Sequence, residues 1–184
     1  FFHPHPATRD CLLSRGLGDV YKRQAFPSGL YPQVAINDPK WHSIYEMCVE
    51  LDIPFFCCVG VPGPRIPMAP QKVELVDEVC WYFPELKFVM RHGAEPWTAL
   101  ACKLMLKYPN LYYSTSAFSP KHYPKDIINF ANTRGKNKIM YAGYFPMGLS
   151  LDKIFGEMDD VPLKDDVWPL FLGENAKRVL KLGI

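Results

Sequence analysis

The residues best equipped for chemistry lie in three short stretches. Arg91-His92-Gly93-Ala94-Glu95 follows an apolar run, Leu86 to Met90, broken only by Lys87. It sets an imidazole, a guanidinium and a carboxylate beside a glycine that lets the backbone turn sharply. His92 is the candidate general acid or base there. Glu95, three residues on, is placed either to orient His92 or to cap a helix starting at Pro96. Arg91, and Arg65 in the Pro-stiffened loop Gly63-Pro64-Arg65-Ile66-Pro67, can grip a carboxylate with two parallel hydrogen bonds. The third stretch is Gly143-Tyr144-Phe145-Pro146, with Phe145 and Met147 expected at a pocket or core. A His-x-His pair at His3 and His5 has the spacing by which one strand presents two imidazoles to a metal. Pro4 and Pro6 argue against a strand there.

Elements alternate along the chain in a way that would put these stretches together. Apolar strand-like segments fall at Gln33 to Ile36, Ile53 to Val59, Leu86 to Met90, Leu111 to Ser114 and Lys138 to Ala142. Between them lie helical periods, near Pro39 to Leu51, Pro70 to Tyr82, Pro96 to Lys107 and Tyr123 to Thr133. Two more helices follow, Leu151 to Met158 and Asp165 to Leu182. Asp38 before Pro39 has the form of an N-cap and a first helical residue. His42 and His122 fall on helices or helix starts as solvent or packing residues. Five strands alternating with helices imply α/β with a parallel sheet. The candidates are an open doubly wound sheet and part of a (β/α)8 barrel, which needs eight strands and about 250 residues. In both, chemistry sits at the carboxyl ends of strands. The Arg91–Glu95 and Gly143–Pro146 stretches occupy such ends, as do Cys57-Cys58-Val59-Gly60 and Ser114-Thr115-Ser116.

The first 24 residues do not share this periodicity. Cys11 to Gln24 resembles a translated adapter-like segment that recurs in metagenomic assemblies, so residues 1–24 are expected to be a non-native or disordered tail. Residues 25–184 are expected to be a partial barrel domain. The tail carries Arg9, Arg15, Lys22 and Arg23 against Asp10 and Asp19, and so accounts for the whole net charge of +2.

Composition bounds the class. The chain has 184 residues, 48% apolar and 14% aromatic, enough for a core and too much for wholesale disorder. Near-balanced charge gives no nucleic-acid or membrane-surface signal. No apolar run reaches the roughly 18–20 residues that span a bilayer. Six Cys, Cys57 and Cys58 adjacent and the other four scattered, without a secretory signal are expected to be reduced thiols in a cytoplasmic protein. The 18 Pro exclude a helical bundle and mark many punctuated loops. The expected partner is a small-molecule substrate, with homo-oligomer formation possible. Five strands leave open edges, so residues 25–184 by themselves are expected to aggregate or to bind a partner there.

From Pro32 to Leu182 the chain resembles the C-terminal part of the amidohydrolase-related family typified by aminocarboxymuconate-semialdehyde decarboxylase. Ile53-Pro54 leading to Gly60 is similar to that family's Leu-Pro-x-x-x-His-x-Gly. Phe88-Val89-Met90-Arg91-His92-Gly93 is similar to its strand ending in His-Gly. Tyr108-Pro109-Asn110-Leu111-Tyr112 with Ser114, and Lys138 to Pro146, match two further strands. Glu174-Asn175-Ala176-Lys177-Arg178-Val179-Leu180 resembles the closing helix. The resemblance implies a metal-dependent (β/α)8 hydrolase or non-oxidative decarboxylase acting on a small carboxylated or aromatic substrate. It also implies a divalent metal, often zinc, with His92 as one ligand. The usual fifth-strand His position falls on Cys58, whose thiolate can bind zinc. The usual Asp position falls on Tyr144, a phenol with a pKa near 10 and a poor base at neutral pH. A non-catalytic relative, keeping the barrel for ligand binding or assembly, is the alternative.

Overall fold

The computed structural model describes residues 24–146 and 148–183. His3, His5 and Met147, singled out in the sequence, lie outside those residues. Five parallel strands form one sheet in the order β1 to β5: Gln24–Ala25, Phe55–Cys58, Phe88–Arg91, Leu111–Ser114 and Ile139–Met140. Spatial order follows chain order throughout. A doubly wound sheet reverses direction at a switch point, whereas a barrel winds one way. The chain therefore forms part of a (β/α)8 barrel.

The helices are α1 His42–Glu50, α2 Leu75–Tyr82, α3 Thr98–Lys107, α4 Lys125–Ala131, α5 Leu151–Met158 and α6 Asn175–Leu180. A 3-10 turn, Pro39–Trp41, leads into α1, and Asp38 accepts from the Lys40 backbone N–H as expected of an N-cap. One expectation fails. Gln33 to Ile36 is not a strand, because the Ile36 N–H goes to the carbonyl of Pro70 in a loop. The strand that pairs with β2 is Gln24–Ala25, in register with Phe56 and Cys57. The helix expected over Asp165 to Leu182 is present, helical without a break over residues 168–180, with a π-helical turn, Leu170–Glu174, inside it ahead of α6.

Strand side chains alternate between two faces. Phe55, Cys57, Phe88, Met90, Leu111, Tyr113 and Ile139 pack with Val76, Val79, Ala101, Leu104 and Ile127 in the helix layer. Phe56, Val89, Tyr112 and Met140 take the opposite, barrel-interior face, and there they meet Ala176 and Val179 of α6. Thus α6 covers the inner face instead of joining the helix layer. The same segment occupies the outer edge of β5. The Tyr141 N–H donates to the Phe171 carbonyl at 2.8 Å. Buried Asn175 Nδ2 donates to the carbonyls of Lys136 and Ile139 at 2.7 and 2.8 Å. Arg178 donates to the Asn137 carbonyl at 2.5 Å. The expectation of a bare edge at the last strand is corrected: that edge is met within the chain. No helix among the described residues is long and apolar enough to cross a membrane.

Candidate functional site

The site builds up from the end of β3. Cys58 and Arg91 are register partners on neighbouring strands, so their side chains share a face. Arg91 lies two residues beyond Val89 and therefore faces the barrel interior. It is 2% exposed, and its Nε donates to Ser116 Oγ at 3.2 Å. Ser114, Thr115 and Ser116 are all buried at the end of β4. Thr115 Oγ1 accepts from the Ala142 N–H at 3.3 Å and ties that end to β5.

Directly after Arg91 the backbone enters the left-handed region for three residues: φ is 65° at His92, 91° at Gly93 and 57° at Ala94. Non-glycine residues adopt this rarely, and such strain concentrates at functional sites. The neighbouring loop holds it in place. Gly60, at φ 92°, packs so closely that a Cβ there would lie 2.7 Å from the Glu95 carbonyl oxygen. The Val61 N–H donates to that same oxygen at 2.9 Å, and the Val59 N–H donates to the Arg91 carbonyl at 3.1 Å.

His92 is thereby fixed at the carboxyl end of β3. Its ring meets Tyr144 edge-on, with centroids 5.9 Å apart and planes at 88°. Burial, with the Arg91 charge adding to it, pulls its pKa down to about 4. The imidazole is therefore neutral at pH 7, with one lone pair and one N–H. Nε2 is buried and has no hydrogen-bond partner among the described residues. A neutral ring with a vacant nitrogen can accept a proton, bind a donor or ligate a metal.

The remaining candidates are spread around this centre. Arg65 and Glu95 are exposed on the loops after β2 and β3. Glu95 does not cap a helix: α3 begins at Thr98 with no side-chain cap, and Thr98 Oγ1 donates to Asp126 Oδ2 at 2.6 Å instead. Phe145 is 57% exposed, at the mouth and not in the core. Cys58 is buried, and burial pushes the thiol of neighbouring Cys57 well above its usual range.

The described residues do not fit a metal centre by themselves. Catalytic zinc takes three protein ligands. No group of three His, Cys, Asp or Glu residues with suitable placement occurs among the described residues. Cys58 and His92 are two donors, and the buried Arg91 cation sits in register with one of them.

Ser116 stands in the Ser-Thr-Ser stretch expected at a strand end, whereas Ser28 and Gln71 fall outside every stretch the sequence marks. All three are almost fully buried polar side chains near carboxyl ends of strands. Ser116 lay in a quoted Ser-Thr-Ser motif, so its position was readable. Nothing in the sequence marks Ser28 or Gln71 as buried.

Solved structures share this architecture. An uncharacterized TIM-barrel protein from Bordetella bronchiseptica aligns with a TM-score of 0.75 at 24% identity, covering 86% of this chain and 57% of that one. Dihydroorotase from Campylobacter jejuni aligns at 0.59 and 18% identity, covering 88% and 58%. A dihydroxybenzoic acid decarboxylase from a Polaromonas species, solved with manganese and the inhibitor 2-nitroresorcinol, aligns at 0.56 and 14% identity, covering 82% and 56%. The chain thus spans less than two thirds of each of these proteins. No curated protein matches it. The amidohydrolase family model matches residues 25–182, nearly the whole of the described chain, and by that match the chain belongs to the amidohydrolase family.

Proposed function

We propose that this chain supplies the His92 side of the active site of a hydrolase or non-oxidative decarboxylase acting on a small carboxylated or aromatic substrate. The observation that carries the reading is His92 itself. It is a neutral, partly buried imidazole with a vacant Nε2, held on strained backbone at the carboxyl end of a barrel strand. Family membership supports the reaction class. A dihydroorotase and a decarboxylase stand among proteins of like fold.

In a decarboxylation the bond to the carboxyl carbon breaks, carbon dioxide leaves, and the electron pair left on the substrate carbon takes a proton. A bound carboxylate beside His92 raises the imidazole pKa and loads it with that proton. In a hydrolysis the same nitrogen takes a proton from the attacking water. Arg91 contributes fixed positive charge from the interior face. Tyr144 holds the imidazole by its ring and offers a hydroxyl at the mouth. Arg65, Glu95 and Phe145 stand on the approach. A divalent metal, were one held by donors additional to Cys58 and His92, would supply Lewis acidity.

A second reading, a barrel that binds ligand without turnover, is favoured by Tyr144 standing where the family pattern carries Asp. The intact protein, incubated with small aromatic carboxylates and cyclic amides, separates the two. Carbon dioxide release or ring opening supports the enzyme. Saturable binding without turnover supports the alternative, and the absence of both overturns both.

A further inference from the structure

The family pattern carries metal donors at the ends of β2, β3 and β5, and this chain keeps His92 alone of the three. Cys58 and Tyr144 take the other two places. A thiolate can bind zinc, so Cys58 by itself is no obstacle. The obstacle is its neighbour. Arg91 is the register partner of Cys58 across β2 and β3, and adjoining strands lie about 4.8 Å apart. The Val59 N–H donates to the Arg91 carbonyl at 3.1 Å and holds the two strand ends in that register. The guanidinium is tethered at the same end of the barrel. Its Nε donates to Ser116 Oγ, just past the end of β4, at 3.2 Å. Arg91 is 2% exposed and Ser116 is 0% exposed.

A guanidinium cannot give up its proton inside a protein, so this cation is permanent. Burial also keeps salt from screening it. A metal on Cys58 Sγ would lie about 2.3 Å from the sulfur, on the interior face that Arg91 shares. Two like charges would then face each other through protein, where Coulomb forces are several times stronger than in water. The repulsion acts on the ion itself, whatever donors other strands bring. A Cys58 thiolate already has its counter-charge in Arg91. Tyr144 adds a phenol where a carboxylate would have offset the cation, and its ring is engaged with His92.

We infer that Arg91 stands in for the divalent metal: its fixed charge closes the ends of β2 and β3 to a metal ion and supplies the positive field that draws a carboxylate to His92. The inference rests on the functional reading above and settles how that site is charged. Arg91 is too deeply buried to touch a substrate, so it acts through its field. A preorganised charge in a water-poor site needs no contact to stabilise an anion nearby. Ser116 keeps the guanidinium at the height where that field is useful.

The test reads zinc binding, which does not depend on turnover. The intact protein and its Arg91→Met variant are stripped with EDTA and titrated with zinc chloride by calorimetry. Arg91→Met is expected to bind zinc at least about tenfold more tightly than the wild type. The gain is expected to vanish when Cys58→Ser is added, which separates this place from zinc held elsewhere on the chain. Arg91→Gln, which keeps a donor for Ser116, shows the same gain if the methionine variant folds poorly. Zinc affinity unchanged in both variants overturns the inference and leaves the functional reading standing. So does a wild type whose zinc is lost on Cys58→Ser. Benzoate is the second probe. Its binding to the EDTA-stripped wild type is expected to be unchanged by added zinc, and binding that appears only with zinc overturns the inference. Benzoate bound in neither state overturns the carboxylate part of both claims.

Discussion

The His92 imidazole meets the Tyr144 ring edge-on at 5.9 Å, joining the end of β3 to the loop after β5. An edge-to-face ring pair contributes about 0.5–1.5 kcal/mol beyond the area it buries. Tyr144→Phe keeps the ring contact and removes only the hydroxyl. Tyr144→Ala removes both. We expect Tyr144→Phe to melt within a degree or two of wild type and Tyr144→Ala to lose about 1 kcal/mol by denaturant titration. A larger loss of turnover in Tyr144→Phe than in its stability assigns the hydroxyl a chemical role.

Stability should fall with acid through His92. Its pKa in the folded protein, about 4, lies below the ordinary 6.5. Between those values the unfolded chain binds the proton and the folded chain does not. The contribution of His92 is therefore present above pH 6.5 and is lost progressively as pH falls toward 4. His92→Asn removes that slope. Asn tolerates left-handed backbone, so the variant folds. Denaturant midpoints of the two proteins from pH 7 to pH 4 check this. Parallel curves contradict the depressed pKa.

At Gly60 a single methyl group meets both left-handed backbone and a backbone clash. An Ala there must adopt φ 92° and place its Cβ against the backbone of Ala94 and Glu95. Left-handed strain plus a backbone clash costs about 3 kcal/mol or more. We expect Gly60→Ala to lower the melting temperature and to displace the His92 loop. Gly63→Ala, where a Cβ meets nothing within 4 Å, is the control and should be neutral.

Asn175 seals the outer edge of β5. Asn175→Ala leaves the carbonyls of Lys136 and Ile139 without their amide donor. Each lost partner of a buried group costs about 1–3 kcal/mol, so the two together cost about 2–6 kcal/mol. Faster hydrogen exchange at the Tyr141 amide, which bonds to the same segment, should accompany it.

The fold was largely legible because parallel strands buried on both faces read as apolar runs. β4 matches its expected bounds residue for residue, as does α5. The first strand was misplaced because two residues carry no period, and Gln33 to Ile36 looked apolar enough to replace them. The course of α6 across the inner face was not readable either, since Val179 and Ala176 bury equally well in a helix layer. In the site, His92 and Arg91 were visible from residue type and position after a strand. The three left-handed residues were not, because only Gly93 announces such a conformation. Ser28 and Gln71 are ordinary surface types whose burial depends on loops meeting in space.

The most direct measurement is turnover by His92→Asn in the intact protein, on the substrate that the wild type converts, with melting temperature recorded alongside. Positioned acid–base groups contribute about 10²–10⁴-fold. The account predicts a fall in kcat of at least about 100-fold with little change in melting temperature at pH 7. Turnover equal to wild type, in a variant that is folded, would contradict it.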